Sequence, residues 1–146
     1  MVRRRGFTLV EVVVVIVILG IVSAVATSRY ARYTREARIA ALNGLAGAIR
    51  SSVQIVRMRY YANGTNTTPV TLAGGITVAV ATNPLVRRGL PLSTAAGLPR
   101  AVNVANTFTY TAGGAQGTYN FPTPIANCFV RYTAATGAVT ITTTGC

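Results

Sequence analysis

Apolar residues form one nearly unbroken block close to the start of the chain. The block covers 20 residues, from Phe7 to Ala26, and a basic cluster, Arg3-Arg4-Arg5, precedes it. As a helix that rises about 1.5 Å per residue it is roughly 30 Å long, the thickness of the hydrocarbon core of a bilayer. A secretory signal has a shorter apolar region of about 7 to 15 residues. The block therefore predicts a membrane-spanning helix, with the arginines on the cytoplasmic side and the rest of the chain outside.

Helical spacing continues beyond this block. The sequence contains no Pro before Tyr61, and apolar residues recur at every third or fourth position: Ile39, Leu42, Leu45, Ile49, Val53 and Val56. This spacing is typical of a helix with one buried face. We predict one helix over residues 7–61, roughly 80 Å long at the standard rise.

From Ala62 the pattern changes to short runs of β-branched and aromatic residues between turn residues. These runs predict strands at Ile76–Ala81, Thr107–Thr111, Thr118–Phe121, Cys128–Thr133 and Ala138–Thr143. Between them, Asn83–Arg100 contains three Pro and four Leu and indicates a surface loop. The predicted fold class is therefore α+β: a long N-terminal helix packed on a C-terminal antiparallel β-sheet, which forms a head over residues 62–146.

The composition argues against an enzyme. All 14 basic residues are Arg, the acidic residues are Glu11 and Glu36, and Lys, Asp and His are absent. A Ser-His-Asp triad cannot form, acid–base catalysis has few candidate groups, and a hard-cation site lacks carboxylates. We expect no catalytic residues, no metal and no cofactor.

One charged residue interrupts the apolar block. Glu11 is the fifth residue of the block, and a carboxylate at membrane depth is costly enough to indicate a partner or a function. The alternative is that Glu11 lies close enough to the lipid headgroups to be solvated.

The junction before the block resembles that of type IV prepilins and pseudopilins. The resemblance is carried by Gly6-Phe7-Thr8-Leu9-Val10-Glu11, between a short basic leader and the Val/Ile/Leu run. It implies that a prepilin peptidase removes the leader, residues 1–6, by cleaving between Gly6 and Phe7, and that the Phe7 amine is then methylated. It also implies that Glu11 pairs with the Phe7 amine of a neighbouring subunit, which would offset the desolvation of the carboxylate as segments 7–26 assemble.

The two cysteines lie close to and at the end of the sequence, at Cys128 and Cys146. If the last two strands fold back around Thr136-Gly137, with Ala134 opposite Val139, the cysteines come within a residue or two of each other across the hairpin. An extracytoplasmic compartment is oxidising, so we predict a disulfide that closes the loop 128–146. Two Cys without His or Asp make a poor metal site.

A narrower resemblance joins two other segments to mannose-sensitive haemagglutinin pilins. It is carried by Asn127-Cys128-Phe129-Val130-Arg131-Tyr132-Thr133-Ala134-Ala135 through to Gly145-Cys146, and by Ala41–Ala48 in the helix. The middle of the chain, from Ala62 to Ala126, has no such likeness.

These resemblances imply a structural subunit of a type IV pilus, used in adhesion, twitching motility, aggregation or DNA uptake. Its expected partners are identical subunits, the prepilin peptidase and the assembly machinery. The precursor would lie in the inner membrane and the filament on the cell surface. The alternative is a pseudopilin of a type II secretion system. Major pseudopilins generally lack the C-terminal disulfide and carry an acidic calcium-binding loop, whereas this chain has the Cys pair and no Asp.

Two weaker patterns lie at the end of the predicted helix and just after it. Arg57 and Arg59 alternate with stacking side chains and could contact an anion such as DNA. Asn63 and Asn66 each begin an N-glycosylation sequon, a match that usually arises by chance in a bacterium.

Overall fold

The computed structural model describes residues 7–64, 68–82, 89–104 and 107–146, without the side chains of Ser28 and Ala31. The elements in chain order are helix α1 (Leu9–Ala62), strands β1 (Val70–Thr71) and β2 (Thr77–Val78), helix α2 (Leu98–Ala101), and strands β3 (Thr109–Gly113), β4 (Gln116–Asn120), β5 (Phe129–Thr133) and β6 (Ala138–Thr142). The chain divides into an N-terminal unit that ends at Ala37 and a C-terminal unit from Arg38 to Cys146.

Helix α1 begins with a side-chain cap. The hydroxyl of Thr8 accepts a hydrogen bond from the Glu11 N–H at 3.3 Å, and the Thr8 carbonyl accepts one from the Val12 N–H. Thr8 therefore occupies the N-cap position, which leaves fewer of the first N–H groups unpaired. The helix then continues for 54 residues, because neither Pro nor a capping Gly interrupts it.

The C-terminal unit is built around the second half of α1 and a four-stranded sheet. The strands are antiparallel in the order β3-β4-β5-β6. Side chains alternate across a strand, so β5 buries Val130 and Tyr132 and leaves its other residues partly exposed. These two residues share one apolar cluster with Leu42, Ile49 and Val53 of α1. The cluster joins the helix to the sheet and confirms the predicted α+β fold.

A smaller cluster lies at the end of α1. The paired strands β1 and β2 contribute Val70 and Val78, which pack with Val56 and Tyr60 of the helix. The sequence pattern predicted only the second of these strands, because β2 lies within the longer run Ile76–Ala81, whereas β1 has two residues and no such run around it.

The described elements overlap the predicted helix and all five predicted strands, with three differences. Of the predicted loop 83–100, residues 83–88 lie outside the described residues. The described part ends in the short helix α2, and its Pro91 forms an isolated bridge with Val80. The predicted opposition of Ala134 and Val139 is wrong, because β5 pairs Tyr132 with Val139. Strand β1 was not predicted.

The turn between β5 and β6 explains the shifted register. Gly137 has a φ of +72°, a conformation that favours glycine. Its N–H and that of Thr136 both donate to the Thr133 carbonyl, at 2.8 and 3.3 Å. The loop is therefore four residues long, 134–137, rather than the tight two-residue turn expected.

Buried tyrosines make the stability of the C-terminal unit sensitive to alkali. Desolvation raises the pKa of both Tyr119 and Tyr132 above the usual value of 10, and repulsion from Tyr110 raises both further. Because the folded pKa lies above the unfolded one, the neutral tyrosines contribute stability that is fully present below pH about 10 and is lost progressively above it. We expect the melting temperature of the C-terminal unit to fall above that pH.

Thermal unfolding followed by near-ultraviolet circular dichroism measures this effect. Tyr119→Phe should weaken the alkaline fall, and it removes a buried hydroxyl that has no hydrogen-bond partner among the described residues. The exposed Tyr30 provides the control, since Tyr30→Phe should leave the profile unchanged. A melting temperature that stays constant above pH about 10 would contradict the expectation.

Candidate assembly site

The N-terminal unit presents an apolar surface that nothing in the described chain covers. From Phe7 to Thr27 every residue is exposed, and its large apolar side chains range from Val13 at 44% exposure to Leu9 at 80%. A soluble monomer rarely exposes a contiguous apolar surface of this extent. By length and composition the helix could cross a membrane, which fits a membrane-anchored precursor.

Glu11 lies within this apolar surface, in the first turn of α1. Its N–H is bonded to Thr8, but its carboxylate has no ion pair or hydrogen bond with any described residue. A negative charge in the first turn of a helix is favoured by the helix dipole. The spacing Thr8-x-x-Glu11 is also that of a capping box, a structural role that the sequence analysis missed although the signal was present.

The Cys128–Cys146 disulfide is present in the C-terminal unit. The two Cα atoms are 5.0 Å apart, and 18 positions separate the residues in the sequence. Cys128 is fully buried. Gly145, which precedes Cys146, donates its N–H to the carbonyl of Asn127, which precedes Cys128, at 3.0 Å. A Cβ on Gly145 would lie 1.7 Å from the Ala126 carbonyl oxygen, so only glycine fits there. The bridge ties the last residue to the start of β5.

The two arginines that the sequence analysis linked to anions have different surroundings. Arg57 is half-buried, with its guanidinium 5.8 Å from the centroid of the Tyr61 ring. Arg59 is exposed and donates through Nε to the Thr71 carbonyl at 3.3 Å. Residues two apart on a helix do not face each other, and Arg59 instead lines a cleft with Arg100. Arg100 lies far from Arg59 along the chain, so no local sequence motif links the two.

The two sequons follow the end of α1. Asn63 is exposed in the turn after the helix, and its N–H donates to the Arg59 carbonyl. Asn66 lies outside the described residues. In the described parts of the chain, no three His, Cys, Asp or Glu side chains come together as metal ligands would.

Residues 1–27 match the family model of the prokaryotic N-terminal methylation motif. This is the signal motif of type IV pilins and prepilins, and a long N-terminal helix followed by an antiparallel sheet is consistent with the type IV pilin fold. The motif supports a type IV pilin or a pseudopilin-like protein. No curated protein and no solved structure matches the chain. The narrower likeness to haemagglutinin pilins remains a prediction.

Proposed function

We propose that the protein is a subunit of a type IV pilus. It is made as a precursor anchored in the inner membrane, is cleaved after Gly6, and polymerises into a filament on the cell surface. Residues 1–6 are the leader, 7–61 the assembly helix and 62–146 the head. The observation that carries the proposal is the apolar surface from Phe7 to Thr27. All of its residues are exposed, and it contains one carboxylate, that of Glu11.

Polymerisation explains how this surface remains covered. In the precursor, lipid covers the helix; once the helix leaves the membrane, water would contact its apolar side chains at a cost of about 25 cal/mol per Å². Neighbouring copies of the same helix remove that cost. Hydrophobic packing alone does not fix how far one helix slides along another, because Val and Ile side chains repeat along it.

Glu11 provides the missing axial register. In a filament core the carboxylate would be surrounded by apolar side chains, and desolvation of such a group costs several kcal/mol. Cleavage at Gly6 creates a new cation, the Phe7 amine, four residues before Glu11 in the same chain. Pairing of the amine of one subunit with the carboxylate of its neighbour offsets the desolvation in one axial position only.

Two features favour a pilus over the pseudopilus of a secretion system. The C-terminal unit contains a disulfide, and the chain has no Asp with which to build an acidic calcium loop. Immunogold electron microscopy at native expression levels tests the choice: labelled filaments should extend from the cell surface. Labelling confined to the envelope, with filaments only on overexpression, would favour the pseudopilus.

The mature chain should begin at Phe7 with a methylated amine. Intact-mass analysis of filaments sheared from cells should therefore give the mass of residues 7–146 with one added methyl group and a disulfide. A matched variant, Gly6→Val, alters the cleavage junction, and its precursor should stay at full length in the membrane fraction. A filament mass that includes residues 1–6 would show that the leader is retained.

A further inference from the structure

A cleft of about 510 Å³ lies in the C-terminal unit beside the end of α1. It is lined by residues of α1, of the segment from β1 to β2, and of α2: Ser52, Ile55, Arg59, Leu72, Ile76 and Arg100. Its volume is in the range of small-ligand sites, about 300 to 1,000 Å³. Most of its wall is apolar, and its charged groups are two arginines.

Both arginines are held by the same pair of strands. Arg59 donates through Nε to the Thr71 carbonyl. Arg100 donates through one terminal nitrogen to the Thr77 carbonyl at 3.5 Å and to the Thr77 hydroxyl at 3.0 Å. Thr71 and Thr77 are direct partners in the β1–β2 pair. The two guanidinium groups are therefore fixed to adjacent points of one hairpin and line the same cleft.

The C-terminal unit contains no acidic side chain that could neutralise these cations. The only acidic residues of the chain are Glu11 and Glu36, and both precede Arg38, where the unit begins. A guanidinium carries five N–H donors, and the carbonyl and hydroxyl bonds occupy only some of them. Two positive charges thus line one cleft, the bonds to Thr71 and Thr77 use only some of their N–H donors, and their own unit has no Asp or Glu.

We propose that this cleft binds a phosphate monoester that carries a small apolar group. A phosphate monoester has a charge near −2 at neutral pH and several acceptor oxygens, so one group can accept hydrogen bonds from both guanidiniums. A carboxylate has a single charge and suits one guanidinium fork. Ile55, Leu72 and Ile76 provide the apolar wall for the attached group. Arg59 and Arg100 are the binding residues.

Calorimetric titration of the full chain in detergent with phenyl phosphate tests the proposal without requiring a filament. Phenyl phosphate should bind the wild type more tightly than inorganic phosphate or benzoate. Arg59→Gln and Arg100→Gln should each lower its affinity by roughly tenfold or more, as expected for the loss of a charged hydrogen bond. Circular dichroism should show that both variants remain folded, and Arg59→Lys should restore part of the affinity.

Arg50 offers a matched control. It is an exposed arginine of the same helix and also donates to a backbone carbonyl, that of Val139, at 3.3 Å, but it does not line the cleft. Arg50→Gln should leave the affinity unchanged. An equal loss in Arg50→Gln would point to the general positive field and overturn the proposal. Tight binding of a duplex oligonucleotide without measurable binding of phenyl phosphate, or benzoate binding as tightly as phenyl phosphate, would overturn it as well.

Discussion

We expect replacement of Glu11 with Ala to leave the precursor inserted and cleaved but to abolish surface filaments or reduce them at least tenfold. Insertion survives because a neutral residue enters a bilayer more easily than a carboxylate. Assembly should fail because, in the proposed filament, the Phe7 amine of each incoming subunit would enter an apolar core without an opposing charge. Removing one partner of a buried ion pair typically costs about 3 to 5 kcal/mol, and about 1.4 kcal/mol already changes an equilibrium constant tenfold.

Filament counts by electron microscopy, with an immunoblot of the membrane fraction, measure this effect. Glu36 is the only other acidic residue of the chain, and it is exposed. Glu36→Ala therefore makes the same change in net charge and should leave filament numbers nearly normal. Normal filaments in Glu11→Ala would mean that Glu11 is only solvated near the headgroups.

Two further variants separate the charge of Glu11 from its place in the first helical turn. Glu11→Gln retains a side chain that suits a capping box but removes the charge, so it should fail to assemble as Ala does. Thr8→Ala removes the cap that Thr8 provides, at a cost of about 1 kcal/mol, and leaves the charge in place. Filaments should persist in Thr8→Ala; their loss there, with normal filaments in Glu11→Gln, would assign Glu11 to helix capping.

We expect removal of the disulfide to lower the stability of the C-terminal unit by about 3 kcal/mol, the chain-entropy value for a closed loop of this length. The two cysteines are 18 positions apart, and the loop between them includes β5 and β6, so opening it frees the edge of the four-stranded sheet. For a unit of about 100 residues this corresponds to a fall in melting temperature of roughly 10 to 20 °C.

The double variant Cys128→Ala, Cys146→Ala leaves no unpaired thiol and is the form to measure. Thermal unfolding of the solubilised chain should shift by the same amount when the wild type is reduced with dithiothreitol, and the reductant should not affect the variant. Equal melting temperatures for the oxidised, reduced and double-variant chains would show that packing around the buried Cys128 side chain, rather than the covalent link, holds the last strands.

Periodicity accounts for the parts of the fold that the sequence predicted. The spacing of Leu42, Leu45, Ile49 and Val53 repeats over several turns, so it identified a buried helical face that the structure confirms. Strands β5 and β6 were recognisable because β-branched and aromatic residues fill them. Their register was wrong by two residues, because it depends on a main-chain conformation at Gly137 that composition does not reveal.

The cleft could not be predicted for a different reason. Arg59 and Arg100 are held by the pairing of β1 with β2, and the sequence predicted no strand at β1, which has two residues. The sequence pattern suggested instead that Arg59 acts together with Arg57, two residues away. In the structure the Arg57 guanidinium lies over the Tyr61 ring. A contiguous motif such as the methylation motif can be recognised from the sequence alone. A site formed by residues that are distant in the sequence can be recognised only from the structure.

Cryo-electron microscopy of sheared filaments tests the proposed assembly most directly. A helical reconstruction should show the apolar helices packed in the filament core, each beginning at Phe7. The Phe7 amine of one subunit should lie within about 4 Å of the Glu11 carboxylate of a neighbouring subunit, the distance of an ion pair. A core in which the Glu11 carboxylates face solvent, or lie far from every Phe7 amine, would contradict the proposal.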